Sequence, residues 1–320
     1  MTTPVVLFLN AGRRVELLES FRRAFRSERR AGRIVATEIR TDAPAWHMAD
    51  AGHILPPSRA PEFIEALIAL CRQERVDLIV PLIDPDLPVL ATNRTAIEAA
   101  GAAVLISSAE TIRVCGDKSV TSEFLSARAL PIIPSLSIAE ARAAPLPLVV
   151  KPRNGSASIN VYTVTTHEQL EVMSNLVSDP LIQPYVVGDE YTVDVFSDPH
   201  DGRTLSTVPR RRLKVRSGEV SVARIERHPP LEKLAGDVAE AVGLRGPGNI
   251  QFIVAADAIW ILEVNPRFGG GCPLSIEAGA PYVGWCLDIA MRRPLRHHVG
   301  SVENGLLMMR YDMSLFVRTS

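Results

Sequence analysis

The chain has 320 residues, of which 47% are hydrophobic, 22% charged and 5% aromatic. This composition is typical of a globular protein long enough for two domains, and it excludes a disordered or fibrous chain. The 35 basic and 36 acidic residues nearly cancel, so no overall field would draw the protein to nucleic acid or to an anionic membrane. The expected partners are small molecules.

The N-terminus and the cysteines predict the cellular compartment. The chain runs from Met1 through Pro4 into the short apolar run 5–9, without the basic start or the length of a signal peptide. No apolar stretch reaches the roughly 18 residues that would span a bilayer. Four scattered cysteines without CxxC spacing predict reduced packing thiols and no zinc site. We therefore expect a cytoplasmic protein.

The first hundred residues alternate β-rich runs with amphipathic stretches, a pattern typical of a parallel sheet covered by helices. This predicts a Rossmann-like α/β arrangement. The predicted strands are 5–9, 33–38, 77–82 and 103–106, and the predicted helices are 15–25, 61–73 and 87–100.

Two loops follow strands of this sheet, at Asn10–Arg14 and Ile83–Asp86. Ligands of such sheets bind beyond the carboxyl ends of the strands. Asp84 and Asp86 are interpreted either as a helix cap with a second acid in the first turn or as substrate contacts. Only one glycine follows the first strand, so the GxGxxG pattern is missing and NAD is not expected.

The second part of the chain has a different pattern. A helical stretch is predicted over 107–129, with local starts at Thr111, Ser119 and Ser122. We place a domain boundary near residue 112. Beyond it, helices at 167–176 and 231–242 interrupt β-rich runs, which predicts an α+β domain with a largely antiparallel sheet. The predicted strands are 146–151, 159–164, 181–184, 190–196, 204–208, 250–255 and 259–264.

The segment 258–271, AIWILEVNPRFGGG, is the most informative one. Alternation along a strand puts Glu263 and Asn265 on one face. A hairpin with the preceding strand NIQFIV would place Asn249 or Gln251 beside Glu263. Such oxygen ligands, without imidazole or thiolate, select Mg²⁺. The alternative is a strand pair whose polar residues face solvent, although the apolar neighbours make an unpaired carboxylate costly.

Two further segments suit a nucleotide. In LVVKPRNGSASINV a strand ends at Lys151 and is followed by Gly155 and small polar residues, which suits phosphate oxygens but is also common at solvated strand ends. GxxxxGK[ST] does not occur, so a P-loop is excluded. In LIQPYVVGDEYTVDV, an apolar strand edge at Gln183 and 185–187 would suit adenine. Glu190 would suit ribose, or is an exposed hairpin acid.

A basic run follows at Arg210, Arg211, Arg212, Lys214 and Arg216. By alternation, four of these five would share one face, with the exception of Arg211. We expect this face either to neutralise a triphosphate or an acyl phosphate or to be an ordinary solvated strand.

These segments, in this order, resemble the ATP-grasp family, in particular the synthetase domains of the carbamoyl phosphate synthase large subunit. The resemblance covers essentially the whole chain. It implies a pre-ATP-grasp domain over 1–112 and an ATP-grasp domain over 113–320, in which two α+β subdomains, about 113–186 and 187–320, clasp ATP. ExNPR downstream of NIQ is its most specific feature.

The resemblance also implies roles for individual residues. Arg267, Lys151 and Arg212 are the expected catalytic residues, with Arg267 against the transferred phosphate and the acyl phosphate. The expected Mg²⁺ ligands, which would also accept Mn²⁺, are Gln251, Glu263 and Asn265. The residues expected to bind ATP are Lys118, Lys151, Gly155, Ser156, Ser158, Gln183, Tyr185, Val186 and Glu190.

The sequence departs from the family pattern in three respects. Ala157 and Asn160 stand where many relatives have glycine, Gln183 stands where glutamate is more frequent, and there is a single ATP-grasp unit without a glutaminase-like segment. The implied reaction joins a carboxylate to an amine through an acyl phosphate, with amino acids as substrates and a homodimer as an assembly suggested by resemblance. The alternatives are a non-catalytic ATP-binding regulatory module and a carbamate- or carboxyphosphate-forming activity.

Overall fold

The computed structural model describes residues 3–27, 31–155, 159–295 and 302–318. Among these residues no helix combines the length and the apolar character that crossing a membrane requires. Ser156 and Ser158, both expected to bind phosphate, lie outside the described residues.

The N-terminal part forms the predicted parallel sheet. Val6 and Phe8 contribute to one hydrophobic core and Leu7 and Leu9 to another, so both faces of the first strand are covered. The strands are β1 (Val5–Leu9), β2 (Arg33–Glu38), β3 (Ala51–Ile54), β4 (Leu78–Pro81) and β5 (Ala103–Val104), in the order β3-β2-β1-β4-β5.

The helices around this sheet correct one prediction. A single helix over 87–100 is wrong, because Asn93 separates two helices there. The Asn93 side-chain Nδ2 donates to the carbonyl oxygen of Val89 at 2.9 Å, and such local bonds compete with the helical pattern. The helices are α1 (Val15–Ser27), α2 (Pro44–Met48), α3 (Phe63–Glu74), α4 (Leu87–Thr92) and α5 (Arg94–Ala99).

Two capped helices connect the parts of the chain, α6 (Ala109–Gly116) and α7 (Lys118–Ser126). The Ser108 hydroxyl accepts from the Thr111 N–H, and the Asp117 carboxylate accepts from two N–H groups of the first turn of α7. The predicted starts at Thr111, Ser119 and Ser122 are therefore wrong, since the caps lie at Ser108 and Asp117.

A small antiparallel sheet follows, consisting of three strands in the order β7-β6-β8, where β6 is Leu148–Pro152, β7 is Tyr162–Val164 and β8 is Pro180–Pro184. Its own core includes Leu148, Val150 and Leu170, contributed in part by the adjoining helices. These helices are α8 (Ile138–Ala143) and α9 (His167–Leu176).

The last sheet has six strands in the order β13-β12-β9-β10-β11-β14, and neighbouring strands are antiparallel. Phe196 of this sheet and Trp285 pack in the same core as Phe8 of the N-terminal sheet. The strands are β9 (Asp189–Ser197), β10 (Thr204–Arg216), β11 (Glu219–Ile225), β12 (Gly246–Val254), β13 (Ile259–Asn265) and β14 (Leu307–Met309). The helices are α10 (Pro229–Ala241), α11 (Cys272–Glu277) and α12 (Tyr282–Ala290).

Candidate active site

Two adjoining clefts lie beside the six-stranded sheet. The first, which we call the nucleotide cleft, has a volume of about 330 Å³ and extends to the small sheet. Its walls combine two lysines with apolar side chains from both sheets. The lining includes Lys118, Ile133, Val149, Lys151, Gly155, Gln183, Tyr185, Val186, Glu190, Arg212, Gln251, Ile253, Leu262 and Glu263.

The two lysines lie where the small sheet meets α7. Lys151 is in β6, and the pKa of its amine is lowered to about 8. Burial is the main cause, the positive charge of Lys118 lowers the pKa further, and the negative charge of Glu263 raises it. The Lys118 Nζ donates to the carbonyl oxygen of Gly155 at 2.8 Å. Gly155 has φ +134°, a backbone conformation that favours glycine. Two cations thus face the same end of the cleft.

The opposite end of the cleft is apolar with a few polar groups. Gln183 is buried, and its Nε2 donates to the Ile133 carbonyl oxygen at 2.8 Å, which fixes the side chain. The Tyr185 N–H donates to the Pro147 carbonyl oxygen at 3.2 Å, so it is not free for a ligand. Val186 lines the cleft just beyond it. This end can hold a flat aromatic ligand between aliphatic side chains.

Glu190 and Arg212 meet in the middle of the cleft. The carboxylate of Glu190 is half exposed and lies 3.4 Å from the Arg212 guanidinium. Arg212 is itself largely buried, and its Nη1 donates to the Gln251 Oε1 at 2.9 Å. The guanidinium therefore connects Glu190 to Gln251, one of the residues expected to hold a cation.

The three expected metal ligands lie together on the β12–β13 hairpin. Gln251 pairs with Glu263 and Asn249 with Asn265 in the strand register, so the predicted hairpin is confirmed. The Asn265 Nδ2 donates to Glu263 Oε1 at 3.0 Å and to Asn249 Oδ1 at 3.3 Å. This cluster has one carboxylate, that of Glu263, and otherwise amide groups. The described residues contain no group of three or more His, Cys, Asp or Glu side chains that could hold a metal.

The second cleft, which we call the acceptor cleft, has a volume of about 140 Å³ and shares Arg212, Gln251 and Glu263 with the first. It is polar along most of its wall. The lining residues are Thr192, Arg210, Arg212, Gly218, Glu219, Val220, Asn249, Gln251, Glu263, Asn265, Arg267 and the glycines 269–271.

Arg267 is held at this cleft by the N-terminal sheet. Its Nε and Nη2 donate to the two carboxylate oxygens of Asp84 at 2.9 and 2.5 Å, across 183 residues of sequence. Nη2 also lies 3.4 Å from Asn265 Oδ1. A bidentate guanidinium–carboxylate pair fixes direction as well as position. Arg267 is thereby held beside Asn265, one of the expected metal ligands.

The two interpretations of Asp84 and Asp86 are resolved in part. Asp86 occupies the N-cap position of α4, and both acids lie in the short 3₁₀ turn before it, but neither carboxylate makes a capping hydrogen bond. Asp84 binds Arg267, and the buried Asp86 accepts a hydrogen bond from the Asn10 Nδ2 at 2.7 Å. Burial raises the pKa of Asp86 to about 6. Both acids lie at the carboxyl edge of the parallel sheet, as expected for its loops.

The common face of the basic run does not form. Register shifts on either side of Lys214 interrupt the pairing of β10 with β11, and a bulge reverses the alternation of side chains. Arg210 is buried against Asp194, with N–O distances of 2.7 and 3.1 Å. Arg216 instead pairs with the exposed Asp312. Of this run, only Arg212 lines the nucleotide cleft.

The sequence analysis missed two residues of this site. Asp84 was considered only as a cap or a substrate contact, and its pairing with Arg267 depends on tertiary structure. Arg14 was included only through its loop, yet its guanidinium lies against Gly270 of the acceptor cleft. The signal that was available was their place at the carboxyl ends of parallel strands.

Comparison with known proteins identifies two family models in the chain. Residues 115–271 match a model described as an ATP-grasp domain, and residues 6–105 match one described as a PylC-like N-terminal domain. The fold is similar to the biotin carboxylase domain of 2-oxoglutarate carboxylase from Hydrogenobacter thermophilus, crystallised with MgADP and bicarbonate, with a TM-score of 0.70, 18% identity, and coverage of 96% of this chain and 74% of that one.

Two relatives match this chain over only part of their own length. A carbamoyl phosphate synthase large chain from Thermoanaerobacter pseudethanolicus is 27% identical over 174 residues, which are 47% of this chain and 15% of the relative. A D-alanine–D-alanine ligase from Corynebacterium aurimucosum is 27% identical over 232 residues, 63% of this chain and 65% of the relative. The chain thus spans less than two thirds of either relative.

Proposed function

We propose that this chain, in which residues 115–271 match an ATP-grasp domain, is an ATP- and Mg²⁺-dependent ligase that joins a carboxylate to an amine. In the first step a carboxylate oxygen attacks the γ-phosphorus of ATP and ADP leaves, which gives an acyl phosphate. In the second step the amine nitrogen replaces phosphate at the acyl carbon and loses a proton. The relative named D-alanine–D-alanine ligase supports this class of reaction.

The observation that carries the proposal is the junction of the two clefts. They share Arg212, Gln251 and Glu263, so a phosphate chain in the nucleotide cleft would end where the acceptor cleft begins. A carboxylate in the acceptor cleft would then be adjacent to the terminal phosphate. Holding two reactants in this way is a large part of the rate enhancement in phosphoryl transfer.

The donor set of the hairpin fits Mg²⁺. It has one carboxylate, Glu263, and the amide groups of Gln251 and Asn265, without nitrogen or sulfur ligands. The Gln251 Oε1 accepts from Arg212 and the Asn265 Oδ1 lies 3.4 Å from the Arg267 Nη2, so a bound ion would share these oxygens with the two arginines or replace them. Mg²⁺ is commonly held by one or two protein carboxylates while phosphates and waters complete its octahedron. The bound ion would neutralise phosphate charge, and Mn²⁺ would suit the same oxygens.

Several cationic side chains would together stabilise the negative charge of the reacting groups. Lys118 and Lys151 line the nucleotide cleft, where they would face the phosphate chain, and Arg212 lies at the junction of the clefts. Arg267, oriented by Asp84, is placed to stabilise the charge that develops on the transferred phosphate and on the acyl phosphate. The chemistry assigned to the protein is therefore positioning and electrostatic stabilisation.

The remaining contacts suit adenosine. The Gln183 side chain is fixed by Ile133 and lines the cleft, where its carbonyl oxygen would accept from the adenine amino group. Val186 follows the last paired residue of this segment and offers backbone groups to the ring edge. Glu190 would accept from the ribose hydroxyls, and its contact with Arg212 would then be shared with the sugar.

The proposal is tested by coupled detection of ADP with MgATP and pairs drawn from a panel of amino acids, followed by hydroxylamine trapping. A ligase of this type gives ADP only with a suitable carboxylate and forms a stable hydroxamate of that carboxylate. ADP release that needs only bicarbonate would instead identify a carboxyphosphate-forming enzyme. Nucleotide binding without any turnover would identify a regulatory module.

A matched pair of variants assigns the activity to this site. Arg267→Ala should abolish hydroxamate formation, while Arg23→Ala, which removes an exposed arginine paired with Glu277 on the outside of the protein, should leave it unchanged. Equal loss in both variants would show that the activity does not depend on the acceptor cleft.

A further inference from the structure

We propose that this chain forms a two-fold symmetric dimer, in which the edge strand β14 and the residues after it pair with the same segment of a second copy. The surface consists of residues 307–317, and we call it the β14 surface. It contains none of the residues that line the nucleotide cleft or the acceptor cleft. The inference therefore does not depend on the proposed ligase function.

The β14 surface has an apolar side chain at every second position. Its sequence is LMMRYDMSLFV, and a period of two is typical of a strand with one covered face. In the structure these positions are open to solvent. The odd-numbered residues are each between 44% and 80% exposed, and they are Leu307, Met309, Tyr311, Met313, Leu315 and Val317. A continuous exposed apolar strip of this kind is typical of an interaction surface.

β14 is also a free edge of the six-stranded sheet. It lies last in the strand order, and Met308 pairs with Ala223 of β11. The Arg310 N–H donates to the Ser221 carbonyl oxygen at 2.8 Å, so the even-numbered residues direct their backbone groups to β11 and the odd-numbered ones away from the sheet. Residues 311–317 make no backbone hydrogen bond to any part of the chain that the structure describes. Such an edge can pair with another strand.

A two-fold axis restricts how two copies can share this edge. Residue i of one copy then lies opposite residue j of the other, and j opposite i. If the axis passes through a residue, odd positions lie opposite odd positions, and the apolar side chains of both copies share one face. An axis between two residues would instead place these apolar side chains on the same face as the partner's Arg310 and Asp312.

The charged residues decide between the remaining registers. An axis at Arg310 or at Asp312 would put like charges directly opposite each other, which is unfavourable. An axis at Tyr311 puts Arg310 opposite the partner's Asp312, twice in the dimer, and Met309 opposite the partner's Met313. An axis two positions to either side of Arg310 and Asp312's midpoint would put Arg310 opposite an apolar residue. The sequence therefore favours the axis at Tyr311.

The charged pair adds to contacts that already exist. The Arg310 Nη1 donates to Glu219 at 3.1 Å, and the Asp312 carboxylate accepts from Arg216 at 2.6 and 2.9 Å. The Asp312 side chain remains 76% exposed, and a carboxylate can accept more than two hydrogen bonds. Exposed ion pairs stabilise little, so this pair sets the register while the apolar side chains supply most of the affinity.

These features together favour a second copy of the chain over a different protein. One two-fold rotation supplies a partner for the apolar side chains, for the charged residues and for the free backbone groups of the edge. Two-fold dimers are the commonest closed assemblies of identical chains. A single strand pair with its side chains is a small interface, so we expect a Kd in the micromolar range.

Sedimentation velocity of the full chain between about 1 and 100 µM tests the assembly. The wild type should pass from monomer to dimer over this range. Tyr311→Asp should raise the Kd at least about tenfold, because it places two carboxylates opposite each other at the axis. Val172→Asp, at an exposed apolar residue of α9, is the matched control and should sediment like the wild type.

Cysteine variants test the register. Tyr311→Cys should form a disulfide-linked dimer under mild oxidation, because hydrogen-bonded residues opposite each other have Cα atoms about 5.5 Å apart, within the range of a disulfide. Met309→Cys and Met313→Cys should each fail to crosslink alone, since each lies about 14 Å from its own copy. The two proteins should crosslink when mixed. The four native cysteines are buried or half-buried, so the wild type measures the background.

Three results would overturn the proposal: a wild type that stays monomeric throughout the range, a Kd unchanged in Tyr311→Asp, or a Tyr311→Cys protein that does not crosslink. A monomeric wild type would assign the surface to a different protein. Melting curves from circular dichroism should be the same for all variants, because the substituted side chains are exposed, and this shows that loss of the dimer is not loss of the fold.

Discussion

Lys151 allows the most direct test of how charge is placed in the nucleotide cleft. Burial lowers the pKa of its amine from 10.5 to about 8, although Glu263 attracts the charged form. A pKa lowered by this amount corresponds to about 3 kcal/mol of unfavourable interaction with the ammonium form. At neutral pH Lys151 is still charged in the folded protein, so the free energy of unfolding is lower than it would be with an apolar side chain at this position.

The sign of the pH dependence follows from the two pKa values. Below pH 8 the amine is protonated in the folded and unfolded states, and folding carries the full cost. Between pH 8 and 10.5 the unfolded chain binds more protons, so this group makes the free energy of unfolding rise with pH. Above that range the amine is neutral in both states and the cost disappears.

Lys151→Met should therefore raise the free energy of unfolding at pH 7 by about 1 to 3 kcal/mol, the lower value applying if Glu263 loses a useful counter-charge. The gain should be much smaller at pH 10. Urea denaturation followed by circular dichroism measures both values. Lys214→Met is the control, because Lys214 is exposed, and it should change stability little at either pH.

The same variant should lose function, because the ammonium group is expected to bind phosphate oxygens. In the wild type, kcat/KM for ATP should fall as pH rises through about 8, since this parameter reports groups of the free enzyme. Lys151→Arg should retain the charge and shift the fall to higher pH. A Lys151→Met protein that is less stable than the wild type at pH 7, or a flat wild-type profile up to pH 9, would refute the reasoning.

Two further variants test the expected metal ligand Glu263 and the orientation of Arg267 by Asp84. Glu263→Gln should raise the Mg²⁺ concentration for half-maximal activity at least about tenfold, because it removes the carboxylate of the ligand set. It should also move the alkaline fall in kcat/KM to lower pH, since Glu263 raises the pKa of Lys151. An unchanged Mg²⁺ requirement would contradict the assignment of Glu263 as a metal ligand. Asp84→Asn should lower kcat about 10- to 100-fold with a smaller effect on the KM for ATP, because Arg267 loses its bidentate partner. Asp42→Asn, at an exposed ion pair, is the control and should leave the kinetics unchanged. Equal effects of Asp84→Asn and Asp42→Asn would refute a positioning role for Asp84.

The local parts of the site were predictable from sequence. A short turn between two β-rich runs placed Asn249 or Gln251 beside Glu263, and alternation by two put Asn265 on the same face as Glu263. The register decides for Gln251 opposite Glu263. Alternation failed in β10, because register shifts around Lys214 separate Arg212 from Arg216. A bulge adds a residue without a composition signal, so counting by two could not detect it.

Contacts between distant parts of the chain were beyond pattern reasoning. The Arg267–Asp84 pair joins residues 183 positions apart, and it exists only because the carboxyl edge of the parallel sheet faces the end of β13. The short elements α2 and β3 were missed for another reason. β3 has four residues of intermediate or high exposure, which give neither a buried run nor a clear alternation.

The arrangement of the clefts separates two tasks between the two matched segments. The residues proposed to bind phosphate and cation lie within 115–271, whereas Asp84 and Arg14, from within 6–105, contact Arg267 and lie behind Gly270, two residues of the acceptor cleft. The N-terminal sheet is coupled to the second segment through Asp84, which orients Arg267. Selection of the substrate should then depend mainly on the N-terminal segment, and use of ATP on the second. Exchange of residues 10–14 with those of a related chain is therefore expected to alter the KM for the amine substrate while the KM for ATP stays constant, and a change confined to the KM for ATP would contradict this division.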